Sequence, residues 1–296
     1  MSGPTKLIII GAPRSGTNML RDALCRLEGV RTWPCDEINP IWRHGFLHYP
    51  YDDFPAEWAD ERARSFVRGR FDRLAGGGPV DVLVEKTCAN SLRVAYLAEL
   101  LPEARFVFLH RDGVDATASA AKRWTSSVDL GYTLRKARFV PWSDLPTYGY
   151  RFLRNRMGQW GRADRRLPSW GPMTAAVARA AASGSVAEAA AVQWRDCVML
   201  ASRDLAALPS ERVLEVTYEG FVQDPVDGLR RVLDFVAESR DDADVRTAVD
   251  HVRTSRVGRG RAELLELDEG PGLARILDEP LGRLGYPPLD AVPEEA

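Results

Sequence analysis

The sequence predicts an α/β fold of three layers, with helices on both faces of a central parallel sheet of about five strands. Two observations predict it. Short apolar runs at 7–10, 80–84, 105–110 and 213–216 alternate along the chain with segments whose apolar residues recur at helical spacing. The chain of 296 residues is also long enough to bury one good core, so we expect a single domain over 1–296 with a helical insertion at 125–192.

Leu7–Ile10 read as a short buried strand and Gly11–Gly16 as a tight turn. Met19, Leu20, Ala23, Leu24 and Leu27 then mark one face of a helix that opens at Thr17. A strand that turns through glycines into a helix leaves backbone N–H groups at the helix's positive end. That is an anion cradle, and phosphate is its usual guest. Arg14 adds charge at the rim, and Ser15, Thr17 and Asn18 add donors around Gly16. The plain alternative is a strand–helix turn with a solvated arginine. Gly11 and Gly16 stand at the spacing of a triphosphate loop, G-x-x-x-x-G-K-[ST], but Thr17 and Asn18 replace its lysine and its metal-binding hydroxyl. The core is therefore P-loop-like, suited to an anionic group and poorly equipped for a triphosphate with its metal.

Residues 29–33 are a candidate second strand, followed by a loop, Pro34–Pro40, that carries Asp36 and Glu37. Loops at the carboxyl ends of parallel strands line the ligand crevice, so one acid can face whatever the first loop holds; a solvated acidic turn is the alternative. His44 and His48 lack a third ligand and a firm helix, given Gly45 and Pro50, so no metal site is expected. A charged surface helix at 55–75 and a flexible connection, Gly76–Pro79, lead to the strand at 80–84. It delivers Lys86 to the same crevice, one of four lysines in a chain that otherwise uses arginine. A compact ammonium approaches what a forked guanidinium does not.

A helix at 90–101 and a strand at 105–110 lead to Arg111-Asp112-Gly113. The helix at 114–124 then sets Asp115, Ser119 and Arg123 on one face. Arg111, Ser119 and Arg123 form a second anion site. Residues 125–192 hold aromatics among arginines and then an alanine-rich stretch, Ala175–Ala191, and suggest a helical lid. A helix at 193–206 and a strand at 213–216 lead to Tyr218, and Asp224-Pro225 caps a helix that runs to Val236. The loop Thr254–Arg261 is basic and punctuated by glycines, a form that can wrap a phosphate.

The formal net charge of −2 gives no general pull towards nucleic acid or membrane surfaces. Four scattered cysteines imply neither a disulfide framework nor a zinc site. No signal peptide or membrane span is expected, and a cytoplasmic, reducing setting is. Oligomeric state is not indicated.

Ala12-Pro13-Arg14-Ser15-Gly16-Thr17 resembles the 5′-phosphosulfate loop of sulfotransferases that use 3′-phosphoadenosine 5′-phosphosulfate (PAPS). Arg111-Asp112-Gly113-x5-Ser119 is similar to the same family's 3′-phosphate motif, and the matching stretches fall in order at 6–40, 80–124, 210–236 and 254–261. Cytosolic members carry a catalytic histidine two residues after the lysine equivalent to Lys86; this chain has Cys88 there. The pattern is closer to the tyrosylprotein and bacterial type, whose base is a glutamate in the loop after the first helix, here Glu37. The resemblance implies metal-free, in-line transfer of a sulfuryl group from PAPS to a hydroxyl of an organic acceptor, a small molecule or a lipid, leaving 3′-phosphoadenosine 5′-phosphate. Glu37 would be the base, with Asp36, His44 and His48 next in line. Arg14 and Lys86 would hold the sulfuryl and bridging oxygens. The amides of Ser15, Gly16, Thr17 and Asn18 would hold the 5′-phosphate, and Arg111, Ser119 and Arg123 the 3′-phosphate. Tyr218 would pack on adenine, while Ser255, Arg256, Gly258 and Arg259 would form the C-terminal nucleotide loop. An ATP-dependent kinase on the same core, or a non-catalytic nucleotide-binding protein, are the alternatives.

Overall fold

The computed structural model describes residues 3–35, 37–124, 140–146, 148–149, 170–183, 185–253, 257–265 and 270–289. Along the chain run β1 (Thr5–Ile10), α1 (Thr17–Leu24), β2 (Val30–Thr32), α2 (Asn39–Trp42), α3 (Glu61–Ala75), β3 (Val82–Lys86), α4 (Val94–Leu100), β4 (Arg105–His110) and α5 (Gly113–Trp124). There follow α6 (Ala175–Ser183), α7 (Val186–Ala206), β5 (Val213–Thr217), α8 (Tyr218–Gln223), α9 (Pro225–Phe235), α10 (Asp242–Val249), α11 (Gly260–Leu265) and α12 (Gly270–Arg283). The five strands form one parallel sheet in the order β2-β3-β1-β4-β5.

Alternate residues of each central strand point to opposite faces. Ile8, Ile10, Leu83, Phe106 and Phe108 meet Val67 and Phe71 of α3, Leu97 of α4, Trp194 of α7 and Leu277 of α12. Leu7, Ile9, Val84, Val107 and Leu109 meet Leu20 and Leu24 of α1, Leu229 and Val232 of α9 and Val245 of α10. This is the three-layer α/β arrangement that the alternation of runs predicts. Each fully buried Leu or Ile contributes about 1.5–3 kcal/mol of transfer free energy, so the two layers, rather than helix propensity, hold the sheet.

Several boundaries differ from the sequence reading. β3 starts two residues later and keeps Glu85 and Lys86 within the strand, pairing Ile9 with Lys86. The helix expected over 90–101 is divided: Cys88–Leu92 is a 3₁₀ turn, and α4 begins only at Val94. Asn90 and Arg93 are wholly buried there and carry side-chain hydrogen bonds that a continuous helix would re-aim. Of the insertion, α6 and the first turns of α7 are the alanine-rich stretch. Ala180, Ala189 and Ala190 pack with Ala120 and Trp124 of α5, so small side chains there bring three helices close. Residues 125–139 and 150–169 of the insertion lie outside the described residues.

Pairing of Ile9 with Lys86, Ile10 with Phe108 and His110 with Thr217 brings the carboxyl ends of β1, β3, β4 and β5 nearly level. The loops that leave them open on one edge, where parallel sheets hold their ligands.

Candidate active site

The turn after β1 is built around close approach. A Cβ on Gly11 would lie 2.4 Å from Leu109 O and 2.7 Å from Thr17 Cγ2. Arg14 and Gly16 both take left-handed backbone, at φ 70° and 88°. Left-handed points in a turn swing consecutive N–H groups into a concavity that suits an anion. A non-glycine residue there costs roughly 1–2 kcal/mol, so the strain at Arg14 marks a shaped loop. Gly16 is the N-cap of α1 and supplies no side chain to the free N–H groups of the first turn. Ser15 Oγ is buried without a hydrogen-bond partner. An orphaned hydroxyl beside an uncapped helix end fits a phosphate-type group.

The second anion site stands against the first. Arg14 Nε donates to Ser119 Oγ at 2.9 Å, and Arg111 Nη1 donates to Arg14 O at 3.2 Å. Arg111 is buried, its guanidinium 4.6 Å from the centre of the Tyr218 ring. That ring also closes on the first loop, since a Cβ on Gly16 would lie 2.5 Å from Tyr218 Cδ2. Arg111 Nη2 donates to Asp115 Oδ2 at 2.9 Å, and the same carboxylate accepts from Gly258 N at 2.8 Å and Gly260 N at 2.5 Å. Asp115 thereby ties the C-terminal loop to the strand-end arginine. Sequence reasoning placed Asp115 on the right helix face but gave it no role; its i+4 spacing from Arg111 is the signal that could have found one.

Behind Arg111, a further set of polar contacts joins β4, β5 and the C-terminal segment. His110 contacts Glu215 at 2.9 Å and the Tyr286 hydroxyl at 3.1 Å, and Tyr286 donates to Glu219, which accepts the Asp112 N–H. Burial holds the His110 imidazole below its ordinary range and pushes the Asp112 carboxyl above its own.

At the end of β3, the Lys86 ammonium lies 3.3 Å from Glu37 Oε1, which also accepts the Cys88 N–H at 3.3 Å. The Lys86 side chain is 3% exposed and that of Glu37 22%, so the pair is largely withdrawn from water while the acid keeps an open side. Cys88 is the residue where a histidine-based site would carry its base. Burial pushes its thiol up to about 12, leaving it a neutral packing group within 3.8 Å of Thr17 Oγ1. Thus Arg14, Lys86, Glu37, Arg111, Ser119 and Tyr218 gather at one sheet edge. Arg123 is exposed two turns beyond Asp115 on α5, and Arg259 is exposed beside Gly258. His44 is engaged elsewhere: it contacts Asp144 at 2.9 Å and stacks on Phe66. Asp36, Ser255 and Arg256 lie outside the described residues.

Among the described residues no helix is long and apolar enough to cross a membrane. No curated protein matches the chain in sequence. Among solved structures it is similar to the sulfotransferase domain from the curacin biosynthetic pathway, at 14% identity and a TM-score of 0.54, over 97% of this chain and 99% of that one. The sulfotransferase domain of the Synechococcus PCC 7002 olefin synthase gives 15% and 0.55, over 97% of both chains. Sulfotransferase STF9 from Mycobacterium avium gives 15% and 0.54, over 98% of this chain and 79% of that one. These likenesses speak for the fold. The family model described as the sulfotransferase family matches residues 5–164, more than half of the sequence, and the chain belongs to that family.

Proposed function

We propose that this sulfotransferase moves the sulfuryl group of PAPS to a hydroxyl of an organic acceptor, with Glu37 as general base. One observation carries the reading: two cation-bearing anion sites, at Arg14 and Arg111, touch each other at the ends of neighbouring strands, beside an acid paired with a lysine. A nucleotide with phosphates on both sides of its ribose is the ligand that needs two such sites at once.

The donor supplies the sulfuryl group and a phosphate oxygen able to leave with the bonding electrons. The chain's residues do the rest. The α1 amides from Ser15 to Asn18 and the Ser15 hydroxyl receive the 5′-phosphate. Arg111, oriented by Asp115 and by the Tyr218 ring, receives the 3′-phosphate. Ser119 stands between the sites, and Arg123, Gly258 and Arg259, with Ser255 and Arg256, complete the outer nucleotide contacts. The adenine contact falls to Tyr218. Glu37 takes the acceptor's proton at a carboxylate oxygen. Lys86, its side chain 3% exposed, and Arg14 at the rim donate to the oxygens on which negative charge builds.

The acceptor side falls to the insertion, and the link between Asp52, near α2, and Met173 supports this, since it ties that segment to the region of the acid. A small molecule or lipid is the proposed acceptor class. The four cysteines are free, which supports a reducing, cytoplasmic setting, and the resemblance to the bacterial type supports a bacterial one.

Glu37→Gln tests the reading. Sulfate release from PAPS to water requires no known acceptor and should fall by roughly 10²–10⁴-fold, the usual worth of a general base. Affinity for 3′-phosphoadenosine 5′-phosphate should be unchanged. A fully active Glu37→Gln would move the base elsewhere, to Asp36 first.

A further inference from the structure

The mechanism above leaves one wholly buried acid unused. Glu85 stands next to Lys86 on β3, but strand alternation sends its side chain to the opposite face. It is 0% exposed, as are Thr87 and Asn90. Three donors converge on its carboxylate: Trp42 Nε1 at 3.1 Å, Thr87 Oγ1 at 2.5 Å and Asn90 Nδ2 at 2.8 Å. Burial pushes the Glu85 carboxyl above its ordinary range, and the hydrogen bonds from Thr87, Trp42 and Asn90 oppose that shift; the indole and amide groups can only donate at these contacts. The Thr87 proton is drawn to Glu85 as well, and this turns the lone pairs of the Thr87 hydroxyl outward. They accept the backbone N–H of Ile38, at 3.1 Å, the residue immediately after Glu37.

The following residue is held through the same network. Arg93, fixed by Asn90 Oδ1 at 2.9 Å, donates to Asn39 Oδ1 at 2.6 Å. The segment that carries the acid is thus pinned just past Glu37 from the floor of the site. The Glu37 carboxylate itself meets Lys86 and the Cys88 N–H.

We propose that Thr87, aligned by the buried carboxylate of Glu85, is a positioning residue that sets Glu37 against Lys86. Neither group touches substrate. Thr87 acts by fixing the Ile38 amide, and Glu85 acts by fixing the direction of the Thr87 hydroxyl. The proposal rests on the reading of Glu37 as the base.

The test compares Thr87→Val, which keeps shape and loses the hydroxyl, with Thr87→Ser, which restores it; Thr87→Ala is read in the same way should the valine variant not fold. On the protein alone, the Ile38 amide should exchange with solvent about tenfold faster in Thr87→Val, the worth of one hydrogen bond, and at the wild-type rate in Thr87→Ser. Sulfate release from PAPS should fall in parallel, with affinity for 3′-phosphoadenosine 5′-phosphate unchanged. A protected Ile38 amide in Thr87→Val, or loss of turnover that Thr87→Ser does not rescue, overturns the proposal. The two readings fail separately. An active Glu37→Gln with a loosened Ile38 in Thr87→Val removes the base and keeps the anchor, whereas an inactive Glu37→Gln with a fully active Thr87→Val does the reverse.

Discussion

The two ends of the crevice are held by opposite strategies. At the donor end, between β1 and β4, polar groups lack partners: the first turn of α1 has no side-chain cap and the buried Ser15 Oγ makes no hydrogen bond, while Arg111 is held by Arg14 O, Asp115 and the Tyr218 ring. Near Glu37, between β3 and α2, buried groups hydrogen-bond to one another in a chain from Glu85 through Thr87 and Asn90 to Arg93 and Asn39, with Arg93 Nη1 left at 3.7 Å from Asp52. The difference follows from what each end must do. An anion site gains from donors that await a ligand, because their desolvation is offset when the charge arrives. The general base proposed here, Glu37, must instead keep one carboxylate in place through proton transfer, and a hydrogen-bonded network supplies that rigidity.

This contrast can be broken most forcefully at Glu37. Loss of turnover without loss of nucleotide affinity in Glu37→Gln would keep the two ends distinct, whereas equal losses of both would merge them. Next in size is Asp115→Asn. It removes the charge that aligns Arg111 and turns one amide donor against the N–H of Gly258 or Gly260. Calorimetry should find 3′-phosphoadenosine 5′-phosphate bound about tenfold more weakly or worse, as for a lost hydrogen bond to a charged group. The Ile38 amide at the other end should keep its protection. The smallest effect belongs to His110, behind the donor end. Burial lowers its pKa from 6.5, so the folded protein binds fewer protons here than the unfolded chain. Its contribution is present above pH 6.5 and is lost as pH falls towards the folded value. Urea unfolding between roughly pH 5 and 8, where histidine titrates, should give a stability that declines on acidification, with a shallower decline in His110→Asn.

The donor end was partly legible in the sequence because its two motifs are each local. The glycine turn runs straight into α1, and Arg111 meets a side chain one turn ahead. The contacts of Arg14 with Arg111 and Ser119, and of Asp115 with Gly258 and Gly260, span the chain; the strand alternation implied only that the first two loops share an edge. The base end was legible only as isolated residues. Lys86 stood out by composition and Glu37 by resemblance, but Thr87 meets Ile38 across 49 residues and Arg93 meets Asn39 across 54. Those pairings exist because β2 lies beside β3, an order that no periodicity reports. The start of α7 was misplaced for a related reason. The sequence reading began that helix at Gln193, whereas it begins at Val186. Alanines give no contrast between faces, so the helical period is invisible until Trp194 and Cys197 enter the core.

The account rests on one nucleotide spanning Arg14 and Arg111, and metal-free calorimetry with a matched pair of ligands tests this most directly. It predicts that 3′-phosphoadenosine 5′-phosphate binds at least about tenfold more tightly than adenosine 5′-phosphate, as charged hydrogen bonds to the second phosphate require, and more tightly than ATP with magnesium. Equal affinities for the two monoadenosine ligands, or a preference for ATP with magnesium, would contradict it.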